Sequence, residues 1–360
     1  MSDPAVFFTG FPGFLGSALL ERVLARGDGP VACLVQSQHA ETAKRRAREI
    51  EDAVGTADAV RLYEGDITEP DLGLDSEPAD FDPVREVYHL AAVYDLGVDR
   101  DLAEAVNVRG TEHVLSFAET VGVERFHYVS TCYVSGRYDG VFTGTDLREG
   151  QSFNNHYEAT KYRAEVAVQE RMADGLRATI YRPSIVVGDS RTGETEKFDG
   201  PYNLLRLLLA QPRRLSVAFT LPGARDAELN VVPRDFVVDA IAILSDRPDA
   251  VDEVYQLCDP APLPVPRFVD VLADATGHRT VRLPTAKSIA RPVTGALERL
   301  SIHVDPHALD YLNHPTRYAC PATTRALAGT GVEAPPFESY VDELVDFARR
   351  NPDVRTGPML

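Results

Sequence analysis

The chain has 360 residues, 44% of them hydrophobic, and a formal net charge of −18 at pH 7; that supports a sizeable core, as one large domain or a domain with a smaller appendage. A broadly acidic surface argues against nucleic acid and anionic membrane as partners, and no apolar run approaches the length needed to span a bilayer. Only Lys44, Lys161, Lys197 and Lys287 are lysines among the 37 basic residues, and many carboxylates with few lysines point to a halophilic surface, on which salt screens self-repulsion, with an ordinary acidic cytosolic enzyme as the alternative.

Taken in chain order, the first half alternates strand and helix signals. Ala5 to Thr9 predicts an apolar strand, followed by a glycine loop and an apolar-periodic helix from Phe14 to Arg26. Val31 to Val35 is a second strand, and Glu41 to Val54 a charged helix. Val60 to Tyr63 is a third strand, ending at Glu64-Gly65-Asp66, and Glu86 to Leu90 a fourth. A helix from Leu102 to Val121, a strand from Phe126 to Ser130, a helix from Tyr157 to Met172 and a strand from Ala178 to Tyr181 complete the series. Such alternation implies βαβ units with right-handed crossovers: an α/β fold with a Rossmann-type, doubly wound parallel sheet.

After Gly188 the rhythm changes. Arg191 to Gly200 is polar and glycine-bearing, and suits a lid or a surface loop equally. Tyr202 to Ala210 is a leucine-rich helix, read as core packing with an apolar pocket wall as the alternative. Asn230 to Leu244 returns to strand and helix, and Glu253 to Cys258 is a further strand. The proline-rich run from Asp259 to Pro266 reads as a short, stiff, extended connector. Among the helix signals that remain is Ser339 to Arg349.

Gly10-x-x-Gly13-x-x-Gly16 follows the first strand and opens the first helix, which is the context a dinucleotide pyrophosphate requires. Gly10 permits the tight turn, Gly13 the backbone approach and Gly16 the packing of helix on strand, while the helix N-terminus offers free N–H groups. The second strand ends Val35-Gln36-Ser37-Gln38 without the acid that marks NAD selectivity. Ser37 can donate to a 2′-phosphate and Lys44, Arg45 or Arg46 can reach one, so the reading leans to NADP over NAD. A solvated face for Lys44 to Arg48 is the plainer account of each residue singly. Asp66 suits the adenine amino group or a simple turn.

Tyr157 and Lys161 are spaced i,i+4 and share a helix face. A neighbouring ammonium is expected to lower the phenol's pKa from its reference near ~10 and fit it for proton transfer. Ser130 and Thr131 end the fifth strand at the carboxyl edge of the sheet, where a hydroxyl can hold a substrate oxygen.

As an ordered set these motifs resemble the extended short-chain dehydrogenase/reductase superfamily over roughly the first 260 residues: TGFPGFLG, GDI at Gly65 to Ile67, HLAA at His89 to Ala92, NVRGT from Asn107, YVSTCYVSG from Tyr128, YEATK from Tyr157 and YRPSIVVG from Tyr181. The resemblance makes Thr131, rather than Ser130, the catalytic hydroxyl beside Tyr157 and Lys161. It implies a cofactor cradle that includes Gly10, Gly13, Phe14, Leu15, Gly16, Gln36, Ser37, Asp66, Ile67, Leu90, Ala91, Ala92 and Ser130. Asn107 would support the cofactor side, and Pro183 and Ser184 would border the nicotinamide. The GFLG ending, STCYVSG and the run from Asn230 to Val237 are similar to the fatty acyl-CoA reductase and thioester reductase branch.

The expectation is therefore an NAD(P)-dependent oxidoreductase passing hydride to or from a carbonyl or carbinol carbon of an apolar or acyl small molecule. The dinucleotide-binding domain would span 1–190, rejoined by about 228–258. A smaller, mostly helical substrate region would comprise 191–227 and 259–360. The chain contains no adenylation or carrier-protein segment, so a discrete reductase or dehydrogenase is expected. A sugar-nucleotide epimerase or dehydratase, and an NAD(P)-sensing protein without chemistry, are the alternatives; the Tyr/Lys pair weighs against the second. Superfamily members are often homodimers, and the sequence shows no interface. Cys33, Cys132, Cys258 and Cys320 read as buried thiols, and no secretory signal is evident, which fits a reducing cytoplasm. His303, His307 and His314 lack the Cys or carboxylate partners of a metal site, and none is expected.

Overall fold

Phe7 and Phe8 show how the fold is built. They are neighbours on one strand, so their rings leave opposite faces of the sheet, and both are fully buried because each face carries a helical layer. The structure is a computed structural model that describes residues 5–354 apart from 28, 76–80, 82–83, 213–215, 221–226 and 285–310.

Seven parallel strands form the central sheet: β1 (Val6–Thr9), β2 (Val31–Val35), β3 (Val60–Glu64), β4 (Glu86–His89), β5 (Arg125–Val129), β6 (Ala178–Pro183) and β7 (Val254–Leu257). Their spatial order is β7-β6-β5-β4-β1-β2-β3. β1 pairs with β2 through Val6↔Val31 and with β4 through Val6↔Glu86, so the order reverses at β1 and opens a crevice at the carboxyl ends there. Helices α1 (Phe14–Ala25) and α2 (Ala40–Val54) cover one face. On the other face α3 (Arg100–Ala103) runs through a π-helical stretch, Glu104–Arg109, into α4 (Gly110–Val121), beside α5 (His156–Ala173). The single helix expected from Leu102 to Val121 is therefore broken by a wider turn, which carries Asn107.

A second core joins α6 (Pro201–Leu209), α8 (Val265–Thr276) and α10 (Val341–Arg350) through Tyr202, Leu205, Phe268 and Leu344. Helix α7 (Arg234–Asp246) returns to the α1 side of the sheet, and α9 (Pro321–Leu327) packs near β7. The connector expected at 259–266 is corrected in part. Leu263–Pro264 pairs antiparallel with Glu228–Leu229, and α8 already begins at Val265 with Pro266 in its first turn, where a missing N–H costs nothing. Short parallel pairs join Ile185–Val187 to Val231–Pro233 and Gly140–Phe142 to Thr316–Tyr318; two- and three-residue strands are too brief for a periodic signal. All four cysteines are buried free thiols. His303, His307 and Lys287 lie outside the described residues. Among the described residues no helix is long and apolar enough to cross a membrane.

Candidate active site

Four strands deliver the site, each from its carboxyl end. β1 runs into Gly10, β4 into Leu90, Ala91 and Ala92, β5 into Ser130 and Thr131, and β6 into Ser184. All of these line one cavity of 1280 Å³.

The glycines are fixed by close approach. Gly10 has φ +91°, a conformation that side chains rarely adopt, and a Cβ there would fall 2.8 Å from the Ala91 nitrogen. A Cβ on Gly16 would sit 2.2 Å from the Gly10 carbonyl oxygen, so α1 packs on the loop only because position 16 is bare. Phe11–Pro12 is a cis peptide. Gly13 begins α1 without a side-chain cap, which leaves the helix N-terminus to serve an anion. Arg46 of α2 donates to the Pro12 carbonyl and, at 3.1 Å, to Ser17 Oγ, and pairs with Glu196 across the cavity. The loop, the helix terminus and this arginine fit a dinucleotide pyrophosphate.

At the adenosine end Gln36 Nε2 donates to Asp66 Oδ2 at 2.7 Å, and Thr68 donates to Asp66 Oδ1 from both its backbone N–H and its hydroxyl at 2.8 Å. Ser37 does not line the cavity; its hydroxyl donates to Glu64. The cavity wall there is instead Gln38, His39, Thr42, Arg45 and Arg46. Lys44 and Arg45 form exposed pairs with Glu41 and Glu49. Asn107 also lies behind the wall. Its Nδ2 donates to Thr160 Oγ1 at 3.1 Å and its Oδ1 accepts from the Val93 N–H at 2.9 Å, which ties the π-helical turn to α5. Every other residue expected in the cradle lines the cavity: Gly10, Gly13, Phe14, Leu15, Gly16, Gln36, Asp66, Ile67, Leu90, Ala91, Ala92, Ser130, Pro183 and Ser184, with Thr131, Tyr157 and Lys161.

Tyr157 and Thr131 are both buried and line the same cavity, and the Thr131 hydroxyl donates to the Pro183 carbonyl at 3.4 Å. Burial pushes the phenol's pKa up; the nearby Thr131 hydroxyl pulls it back in part, and the Glu158 and Asp199 carboxylates raise it further. The sequence expectation of a lowered phenol pKa is thus reversed, because a buried phenolate loses its water and the Lys161 ammonium is held by Tyr128 and Val129 instead. Lys161 Nζ donates at 2.9 Å to the Tyr128 hydroxyl and at 2.9 Å to the Val129 carbonyl, and lies over the Tyr128 ring. Burial pulls this lysine down to about 7, against a smaller upward pull from Glu165.

Behind the lysine runs a buried chain. Thr9 Oγ1 meets His89 Nδ1 at 2.8 Å, His89 Nε2 meets Thr111 Oγ1 at 3.0 Å, and the Tyr128 ring lies 5.6 Å from the His89 ring, centroid to centroid. Burial and the Lys161 charge push His89 down to about 3, so it is a neutral spacer between the glycine-loop strand and the lysine. Ser130 Oγ donates to Glu165 at 2.5 Å, and Glu165 forms a fully buried 2.6 Å ion pair with Arg182.

Sequence reasoning missed several walls. Tyr94 packs edge-on to Tyr157 with centroids 5.1 Å apart, and Lys197 lies over the Tyr94 ring and pairs with Asp199 at 3.3 Å. Thr195 to Lys197, Asp199 and Gly200 line the cavity, so the second half of the 191–200 segment forms a wall, while Arg191, Thr192 and Glu194 are exposed as in a surface loop. Leu205 and Leu208 of α6 are core while Asn203 and Leu204 face the cavity, so both readings of that helix hold. Tyr133, Tyr311 and Leu312 complete the far side. The one available signal was Lys197, a rare lysine in this sequence.

A family model described as "Male sterility protein" matches residues 8–241. The solved terminal R domain from the myxalamid PKS-NRPS biosynthetic pathway superposes with a TM-score of 0.80 at 26% identity, covering 99% of this chain and 93% of that one. The non-canonical nonribosomal peptide synthetase FrzA of Cladobotryum sp is 28% identical over 278 residues, 72% of this chain and 26% of that protein. The fatty acyl-CoA reductase wat of Drosophila melanogaster is 25% identical over 278 residues, 66% of this chain and 53% of that protein. The chain thus spans a quarter to about half the length of these two curated relatives.

Proposed function

The chain belongs to the male sterility protein family of NAD-binding domains, among the extended short-chain dehydrogenases/reductases, and from that membership we propose that it reduces the carbonyl of an apolar acyl compound, a thioester or an aldehyde. The observation that carries the reading is that Thr131, Tyr157 and Lys161 line the same cavity as the glycine loop.

The cofactor would lie along Gly10 to Gly16, Asp66, Ala91 and Lys161, with its nicotinamide by Pro183 and Ser184, and when bound it supplies the hydride that reaches the carbonyl carbon. NADPH is the proposed form. Arg45 lines the adenosine end of the cavity and gives a 2′-phosphate a cationic neighbour, where no acid ends β2 to repel it. The Thr131 hydroxyl hydrogen-bonds the substrate oxygen, and Tyr157 gives that oxygen its proton. A phenol whose pKa is pushed up stays protonated at neutral pH, which suits a proton donor and hence the reducing direction. Lys161, held by Tyr128 and Val129, has one donor left for a cofactor hydroxyl. The acyl chain would rest between the sheet and the segments after Gly188, against Leu204, Leu229 and Leu312. For a thioester, hydride addition and protonation give a hemithioacetal, whose C–S bond then breaks to release aldehyde and thiol.

The test is fluorescence titration with NADPH and NADH, followed by decanal, decanoyl-CoA or UDP-glucuronic acid. The proposal expects tighter NADPH binding and net NADPH consumption with decanal or decanoyl-CoA. Co-purified NAD that resists dialysis, with UDP-glucuronic acid converted and no net nicotinamide turnover, would identify an epimerase instead.

A further inference from the structure

Helix α5 begins with a closed hydrogen-bonded triangle that neither proton transfer nor cofactor binding uses. Asn155 caps the helix: its Oδ1 accepts from the Glu158 N–H at 2.9 Å, and its Nδ2 donates to the Tyr311 hydroxyl at 3.0 Å. That hydroxyl donates to Glu158 Oε1 at 2.7 Å and closes the ring. The Glu158 carboxylate is fully buried, and Asn154 donates to it from its backbone at 2.8 Å and its side chain at 3.0 Å. A buried carboxylate is tolerated only when its oxygens are satisfied in this way.

Tyr311 also faces the other half of the site. Its ring meets Tyr133 edge to face with centroids 4.8 Å apart, and the Tyr133 N–H donates to Thr131 Oγ1 at 3.2 Å. Both rings line the cavity. One phenol from the C-terminal part of the chain therefore touches the helix that carries Tyr157 and the turn that orients Thr131.

We propose that Tyr311 is a positioning residue for the reduction: it locks the first turn of α5 to the turn after β5, fixes Tyr157 relative to Thr131, and presents its ring to the substrate's apolar part. This rests on the reading of Tyr157 and Thr131 as the reacting pair. Displacements well under the length of a bond are enough to slow a positioned proton transfer. Because the triangle acts on geometry and not on cofactor contacts, its loss acts on turnover rather than on NADPH affinity.

The test is steady-state kinetics of the full chain with decanal and NADPH. Tyr311→Phe keeps the ring and removes the hydroxyl; it should lower kcat by about tenfold or more while KM and the NADPH Kd stay unchanged. Tyr311→Leu should also raise KM, since it removes the wall. A Tyr311→Phe kcat near wild type overturns the proposal, as does a loss matched by weaker NADPH binding, which marks general damage. If that variant fails to fold, Asn155→Ser keeps a capping hydroxyl and drops the donor to Tyr311; a wild-type kcat there is equally contrary. Tyr157→Phe is run alongside. Turnover lost there but intact in Tyr311→Phe sinks the positioning role alone, whereas turnover retained in Tyr157→Phe removes the underlying reading and this proposal together.

Discussion

Lys161 shows at the scale of one residue how burial decides chemistry. Removed from water and held by one hydroxyl and one carbonyl, it is pulled down to about 7, so its ammonium is present below that pH and is lost as pH rises through it. The ratio of NADPH affinity in the wild type to that in Lys161→Met is therefore expected to fall between about pH 6 and pH 8, since only the wild type loses a charge there. Any titration of the cofactor itself is common to both proteins and cancels in the ratio. A ratio flat across that range contradicts the role given to the lysine. The residues of this centre differ in how far the sequence shows them. Gly10, Gly13, Gly16, Tyr157 and Lys161 are legible because one loop and one helical turn fix their spacing. Tyr311 is not, because a phenol more than 150 positions from its carboxylate partner carries no local pattern. The direction of the Tyr157 pKa was misread for the same reason: the i,i+4 spacing is local, and burial is a property of the fold.

At the scale of elements, α5 is held by more than its apolar face. Glu165 on α5 and Arg182 on β6 form a salt bridge with neither side chain exposed, and Glu165 also accepts from Ser130 at the end of β5. Glu165→Ala strands a buried guanidinium and should cost about 3–5 kcal/mol in a urea unfolding curve; a loss below about 1 kcal/mol would place the pair with exposed ones. The seven sheet strands and most helices are legible because their periodicity and flanking turns are strong. The π-helical turn at Asn107 is not, since the bond that ties it to α5 comes from a single side chain and no repeat announces it. Nor is the start of α8 at Val265, where prolines read as an extended connector yet suit the first turn of a helix.

Over the whole molecule, the topological reversal at β1 determines where the chemistry sits. The glycine loop, the β4 and β5 ends and α5 converge there, and the 195–200 segment, α6 and Tyr311 close the opposite side. The sheet and its crevice were predictable from the alternation of strand and helix signals and the glycine loop after β1. The substrate side was not, because it is assembled from segments far apart in the chain whose apolar residues also serve the second core. The central claim is that Tyr157, beside Thr131 and Lys161, delivers the proton as the substrate carbonyl is reduced. The most direct test is single-turnover NADPH oxidation with decanal in Tyr157→Phe. Loss of rate by about 10²–10⁴-fold with NADPH affinity retained is the expected result; a rate near wild type would contradict the account.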